Sequence, residues 1–221
     1  MANTLSQEQI QYVMRMRELG VFQELTGHRI PKNKKVVVCA CSDGDRHRLT
    51  VEALLDAIQL PNGGTRNFHV VGNAGGPIRG DVEHPLSVRF PGSTLSYIAE
   101  VLLGCVFKET PTIVLCPHGV CGAEKHLGRK PADTVLSMIH AKETLRMFLR
   151  TPGFMTWLLA PLQALTESQL AFASELPGIV KIPLFMEFDM GDQKIFYVSA
   201  KEWRKHHKEP PFTPTIHIPT L

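Results

Sequence analysis

Three residues of the chain have the types and spacing of a metal-binding set. In Thr112-Ile-Val-Leu-Cys-Pro-His-Gly-Val-Cys-Gly-Ala123 an apolar run, Ile113 to Cys116, stops at Pro117 and opens into His118-x-x-Cys121. An earlier run, Val36 to Ala40, ends the same way, in Cys41-Ser42-Asp43. Short apolar runs bounded by turn residues read as buried strands. Cys41, His118 and Cys121 would then lie just past the carboxyl ends of two strands, where open α/β sheets form their ligand crevices. Thiolate and imidazole suit zinc, and three protein ligands leave a fourth tetrahedral position for water or substrate, as catalytic rather than structural sites do. Zinc held in this way brings its water to a pKa of about 7 and so supplies hydroxide at neutral pH. Cys39 and Cys116 fall within the strands and are poorly placed to close the shell.

Those ligands need a sheet to carry them. Lys34 to Cys41 is apolar and β-branched without alternation, which predicts a central strand buried on both faces. Phe68 to Val71 and Ile113 to Cys116 read as further strands, separated by helical periods at Leu49 to Leu60 and from Ser93 or Thr94 to about Val106. Gly72 to Pro77 reads as a glycine-rich loop and residues 78–92 as irregular. Helices are predicted at Ala132 to Leu149 and over 153–174, the second kinked or started at Pro161, then a late strand at Ile179 to Phe188 and an antiparallel return at Ile195 to Val198. Residues 4–24 read as a helix with a Ser6-x-x-Gln9 capping box and Ile10, Val13 and Met14 on one face. That helix packs either on its own core or on a neighbouring subunit. The expected fold is α/β: a central, mostly parallel sheet flanked by helices, with a C-terminal antiparallel edge hairpin.

The bulk composition is that of an ordinary globular protein. The 221 residues, 43% hydrophobic and 20% charged, suit one domain over 1–221, with an N-terminal helical arm (1–30) and a proline-rich tail (208–221). A net charge of +3 with both signs interspersed gives no ground for a nucleic-acid partner. Lys32-Asn-Lys-Lys35 and Arg204-Lys-His-His-Lys208 read as solvated turns or tail. No apolar run approaches the ~18 residues of a membrane span. No secretory signal is expected from Met1-Ala-Asn-Thr-Leu-Ser6. Five cysteines without the spacing of a disulfide scaffold fit a reducing compartment, hence a cytoplasmic location.

Other stretches of the chain extend the pattern. Cys41-Ser-Asp43, Phe68-His-Val-Val-Gly-Asn-Ala-Gly75, Ser93-Thr-Leu-Ser-Tyr97-Ile-Ala99 and His118-Gly-Val-Cys-Gly-Ala123 occur in the order seen in β-class carbonic anhydrases, and Phe188-Asp-Met-Gly-Asp-Gln193 resembles that family's hairpin. The resemblance spans about residues 30–200. It implies that Cys41, His118 and Cys121 bind Zn2+, and that Asp43 accepts a hydrogen bond from the zinc-bound water and fixes its orientation. It implies a lyase that reversibly hydrates carbon dioxide to bicarbonate by a zinc-bound hydroxide. It also implies a homodimer or higher homo-oligomer with the active site near the subunit interface.

The chain departs from the family where the family pairs Asp with Arg two residues later. Here the order is Cys41-Ser-Asp-Gly-Asp-Arg46, so Asp45 stands in the arginine position and Arg46 comes one residue late. Either Gly44 lets the turn bulge and returns Arg46 to Asp43 in a bidentate pair, or Arg46 points elsewhere and Asp43 becomes a fourth zinc ligand. Gly72 and Gly76 replace an arginine and an asparagine, as a flexible loop or as room for another substrate. Three readings stay open: carbon dioxide hydration; hydrolysis of carbonyl sulfide or carbon disulfide at the same zinc; and an impaired zinc-binding or scaffold homologue. No residue matches the family's substrate-contacting glutamine; Gln23 and His28 are the available substitutes. His47, His69, His84 and His126 read as surface or loop residues, with His47 and His126 placed best for a proton shuttle.

Overall fold

Ser6 starts the first helix, α1 (Gln7–Glu18), through a reciprocal cap: its hydroxyl accepts from the Gln9 N–H at 3.3 Å, and the Gln9 side chain accepts from the Ser6 N–H at 2.8 Å. This is a computed structural model, which describes residues 5–25, 35–42, 50–52, 54, 68–119, 121–190, 193–209, 212 and 214. Val13 and Met16 of α1 are buried in the main core, so this helix packs on its own chain. Met14 is instead 44% exposed, and Met16 takes the inward place predicted for it. Helix does not continue to residue 24. Gly20, at φ +70°, turns the chain into a short strand, β1 (Phe22–Glu24).

The parallel half of the sheet consists of β2 (Val36–Cys41), β3 (Phe68–Asn73) and, later in the chain, β4 (Ile113–Cys116), in the order β3-β2-β4. All of β2 is buried, and its pleat feeds two cores. Val37 and Cys39 join the main cluster, while Val36, Val38 and Ala40 join a smaller one. β4 divides in the same way, with Ile113 and Leu115 on one side and Val114 and Cys116 on the other. Two buried faces explain why neither strand alternates in sequence. Between β2 and β3, Thr50 to Glu52 and Leu54 are helical; the rest of the helix predicted there lies outside the described residues.

After β3 the predicted irregular stretch is ordered into a 3-10 turn, Gly76–Gly80, and a short helix, α2 (Pro85–Arg89). α3 (Pro91–Lys108) begins with proline in its first turn, where the missing N–H costs nothing, and ends at Glu109 in the left-handed conformation. α4 (Gly122–His126) follows β4, and α5 (Pro131–Arg150) starts where Asp133 accepts the Lys130 N–H at 2.7 Å. The helix predicted within 153–174 is two helices, α6 (Phe154–Leu159) and α7 (Glu167–Ile179), separated around Pro161. α7 runs through Pro177 to Ile179, so the strand predicted from Ile179 starts later, as β5 (Phe185–Asp189).

β5 and β6 (Gln193–Val198) form the expected antiparallel hairpin, and β1 adds to its outer edge in the order β1-β6-β5. The hairpin joins the parallel half through β4. Parallel bridges link Thr112 to Lys181, Leu115 to Leu184 and His118 to Glu187. The α/β architecture with a parallel centre and an antiparallel C-terminal edge is therefore as the sequence predicts. The run Arg204-Lys-His-His-Lys208 is helical rather than a turn or tail, though Lys205, His206 and Lys208 are exposed as expected. It belongs to α8 (Ala200–His207), capped by Ser199, whose Trp203 is buried and stacks on His207. Among the described residues no helix is long and apolar enough to cross a membrane.

Candidate metal centre

Parallel pairing brings two ligand-bearing strand ends to one edge. Ala40 of β2 is level with Cys116 of β4, so Cys41 and the Pro117-His118 turn follow side by side. The turn does not leave the sheet at once. Glu187 donates its N–H to Pro117 O at 3.0 Å and accepts from Gly119 N at 2.6 Å, which clamps His118 between β2 and β5. Cys121 comes next, as the N-cap residue of α4.

The outcome is a buried cluster of Cys41, His118 and Cys121 whose ligand atoms all lie within 4.8 Å of one another. The two sulfurs are 3.7 Å apart. Exposure is 4% for Cys41 and His118 and 1% for Cys121. Among the described residues this is the one group of three or more Cys, His, Asp or Glu side chains arranged to hold a metal ion. The fit is chemical as well as geometric. The Cys121 thiol is pushed well above the usual thiol range, first by its hydrogen bond with Cys41 and then by burial; His118 and the Glu124 N–H pull it down. Two adjacent buried thiols resist ionising together, and a soft divalent cation supplies the charge that lets both act as thiolates.

Two glycines permit the approach. A Cβ on Gly76, which sits at φ +58°, would meet Cys41 N at 2.5 Å and Ala40 C at 2.8 Å. Gly76 is thus neither a flexible element nor room for substrate, as the sequence suggested, because the β2 backbone fills the space. A Cβ on Gly119 would run into the Phe188 ring. Gly72, in contrast, lies in β3 and is exposed.

Cys39 is held in the core, where burial pushes its thiol up to about 12. Tyr97, from the Ser-x-x-x-Tyr stretch, is likewise a core residue, 3% exposed. Asp43 and Arg46, with Gly44, Asp45 and His47, lie outside the described residues. Ser42, just before them, donates its N–H to Asn73 O at 3.0 Å and so stays attached to β3. His126 is exposed, as expected, but His84 is not a surface residue. It is fully buried and its Nε2 lies 2.7 Å from Glu124 Oε1. Glu124 and its partner Arg129 were missed in the sequence, where the one available signal was an acidic residue in the first turn after Cys121. A cavity of about 450 Å³ reaches the cluster and is lined by Cys121, Gly119, Glu124 and Arg129 together with Ser6 and Gln9 from the α1 end.

No family model and no curated protein matches the chain. Solved structures do. A carbonic anhydrase from Streptococcus mutans is 15% identical, covering 89% of this chain and 100% of its own, at a TM-score of 0.37. The β-carbonic anhydrase CafD of Aspergillus fumigatus is 11% identical over 80% of this chain and 99% of its own, also at 0.37. A β-carbonic anhydrase of the protozoan Trichomonas vaginalis is 16% identical over 88% and 99%, at 0.33. The chain is similar to β-class carbonic anhydrases. What its own site can do rests on the distances given above.

Proposed function

We propose that the chain is a zinc-dependent enzyme that reversibly hydrates carbon dioxide to bicarbonate. One observation carries the reading: Cys41, His118 and Cys121 converge within 4.8 Å, all buried, with Cys121 lining a cavity. Zinc in a site of this donor set, with three protein ligands, acts as a Lewis acid that makes water a nucleophile near neutral pH. The protein's part is to hold the three donors fixed and to shield them from bulk water. Asp43, two residues past Cys41, accepts the attacking water's hydrogen bond and turns its lone pair toward the carbon of substrate. Arg46 pairs with Asp43 and keeps that carboxylate off the metal. The released proton leaves through His126, which is exposed at the end of α4.

Gly76 gives no support to carbonyl sulfide or carbon disulfide as the substrate, since its missing side chain makes way for Cys41 and not for a ligand. The same reading includes a single domain, a cytoplasmic location and a homodimer or larger homo-oligomer, the last measurable by light scattering. The deciding experiment is stopped-flow carbon dioxide hydration on zinc-quantified protein from about pH 6.5 to 9, a range around the pKa of about 7 expected for zinc-bound water. Activity at neutral pH, lost in Asp43→Asn with zinc retained, is the expected result. Activity confined to high pH would place Asp43 on the metal in the resting protein. No activity at any pH with zinc fully loaded would leave a binding or scaffold role.

A further inference from the structure

Beside the ligand cluster lies a buried ionic network that the proposed reaction does not use. The Glu124 carboxylate, 4% exposed, has both oxygens engaged. Oε1 lies 2.7 Å from His84 Nε2, and Oε2 accepts from Arg129 Nε at 2.7 Å. His84 Nδ1 accepts the Leu86 N–H at 3.2 Å, so Nε2 carries the proton and is the donor to Glu124. The Arg129 guanidinium reaches on to Ser137 Oγ at 2.8 Å and to Asp133 O at 3.1 Å. One carboxylate thus ties α4 to the start of α2, where His84 is the N-cap, and to the first turns of α5.

This matters because α4 is only five residues long and opens on a ligand. A helix so short has no stability of its own, so its position is set by what holds it. Cys121 caps it, and the Cys121 carbonyl accepts the Lys125 N–H at 2.9 Å. The side chain locked by His84 and Arg129 therefore belongs to the same single turn that opens at the ligand. A buried ion pair is seldom worth more to folding than apolar packing of the same volume. Its placement one helical turn from the ligand gives it another use. We infer that His84, Glu124 and Arg129 are positioning residues for the metal centre, holding the α4 N-terminus so that Cys121 Sγ meets the ion at a fixed place and angle. The inference rests on the zinc reading above and deepens it.

Partners of metal ligands in this role change metal affinity by about 10–100-fold when removed. The test compares wild type, Glu124→Ala, His84→Ala and His84→Gln as full chains. Two readouts are used: zinc affinity by chelator competition, and the thiolate-to-cobalt charge-transfer band of Co(II)-substituted protein. Glu124→Ala and His84→Ala should weaken zinc binding by about 10–100-fold and shift the band. His84→Gln should recover most of both, because its amide can donate to Glu124 while its oxygen accepts the Leu86 N–H. A network that serves only the fold would lower the melting temperature and leave the dissociation constant and the band of the folded protein at wild-type values; that result overturns the inference. Should Glu124→Ala fail to fold, the His84 pair decides: wild-type affinity in His84→Ala, or no recovery in His84→Gln, counts against it. A wild-type chain that takes up neither zinc nor cobalt overturns the zinc reading itself, and so separates the two failures.

Discussion

At the scale of single residues, the centre depends on two side chains that are absent. Gly76 lets the turn after β3 lie against the Cys41 backbone, and Gly119 lets the turn after β4 lie under Phe188. The two differ in what an added methyl would meet. At Gly76 it meets backbone at 2.5–2.9 Å, in a left-handed conformation that disfavours any Cβ, so nothing can move aside cheaply. Gly76→Ala should therefore destabilise the chain by roughly 2–4 kcal/mol, from overpacking plus backbone strain, measured by urea unfolding. Gly178 in α7 is the control. A Cβ there meets nothing within 4 Å, and Gly178→Ala should stabilise by about 0.5–1 kcal/mol. Neither requirement was visible in the sequence, because a glycine's reason for being there is a neighbour brought close by the fold.

At the scale of elements, the strands declare themselves and the polar contacts between helices do not. Val36 to Cys41 could be read as a doubly buried strand because apolar residues in unbroken succession need two cores. β1 carries too few residues to show a period and exists because β6 offers it an edge. α8 was hidden by its charges, and only the packing of Trp203 makes it a wall of the molecule rather than a tail. α5 carries a strain of the same origin. Lys142 is lowered from the ordinary lysine value of 10.5 to about 8, chiefly by burial and then by Arg146 nearby. Between those two values the unfolded chain holds a proton that the folded chain does not. Stability should rise with pH across that window, with the full penalty below pH 8 and none above 10.5. Lys142→Met should remove a penalty on the order of 2 kcal/mol at pH 7 and show no gain at pH 10.5, measured as melting temperature against pH.

At the scale of the whole molecule, the centre joins parts that are distant in sequence. Cys41 comes from β2, His118 from the end of β4 and Cys121 from the start of α4, so a bound ion would brace the sheet against the helical layer. An ion that binds only this folded arrangement stabilises it by mass action. With free zinc at about 100 times its dissociation constant the gain is about 2.7 kcal/mol, or roughly 5–10 °C in melting temperature for a chain of this length. Removing the metal with a chelator should lower the melting temperature by that amount, and restoring zinc should recover it. Cys121→Ser should melt at the metal-free temperature with or without zinc. A zinc-dependent rise in that variant would mean the ion sits elsewhere.

The sequence by itself determined the two buried strands that precede Cys41 and His118 and the parallel centre of the sheet, and it singled out Cys41, His118 and Cys121 as candidate donors. These follow from local facts: unbroken apolar runs, turn residues after them, and soft side chains just beyond. Tertiary structure alone decided that the donors meet within 4.8 Å, that Gly76 is held by Cys41, and that His84 is a buried partner of Glu124. The physical reason is the same in each case. Burial of a polar group is acceptable only when its partners arrive from other elements, and no local period in the chain records where they come from.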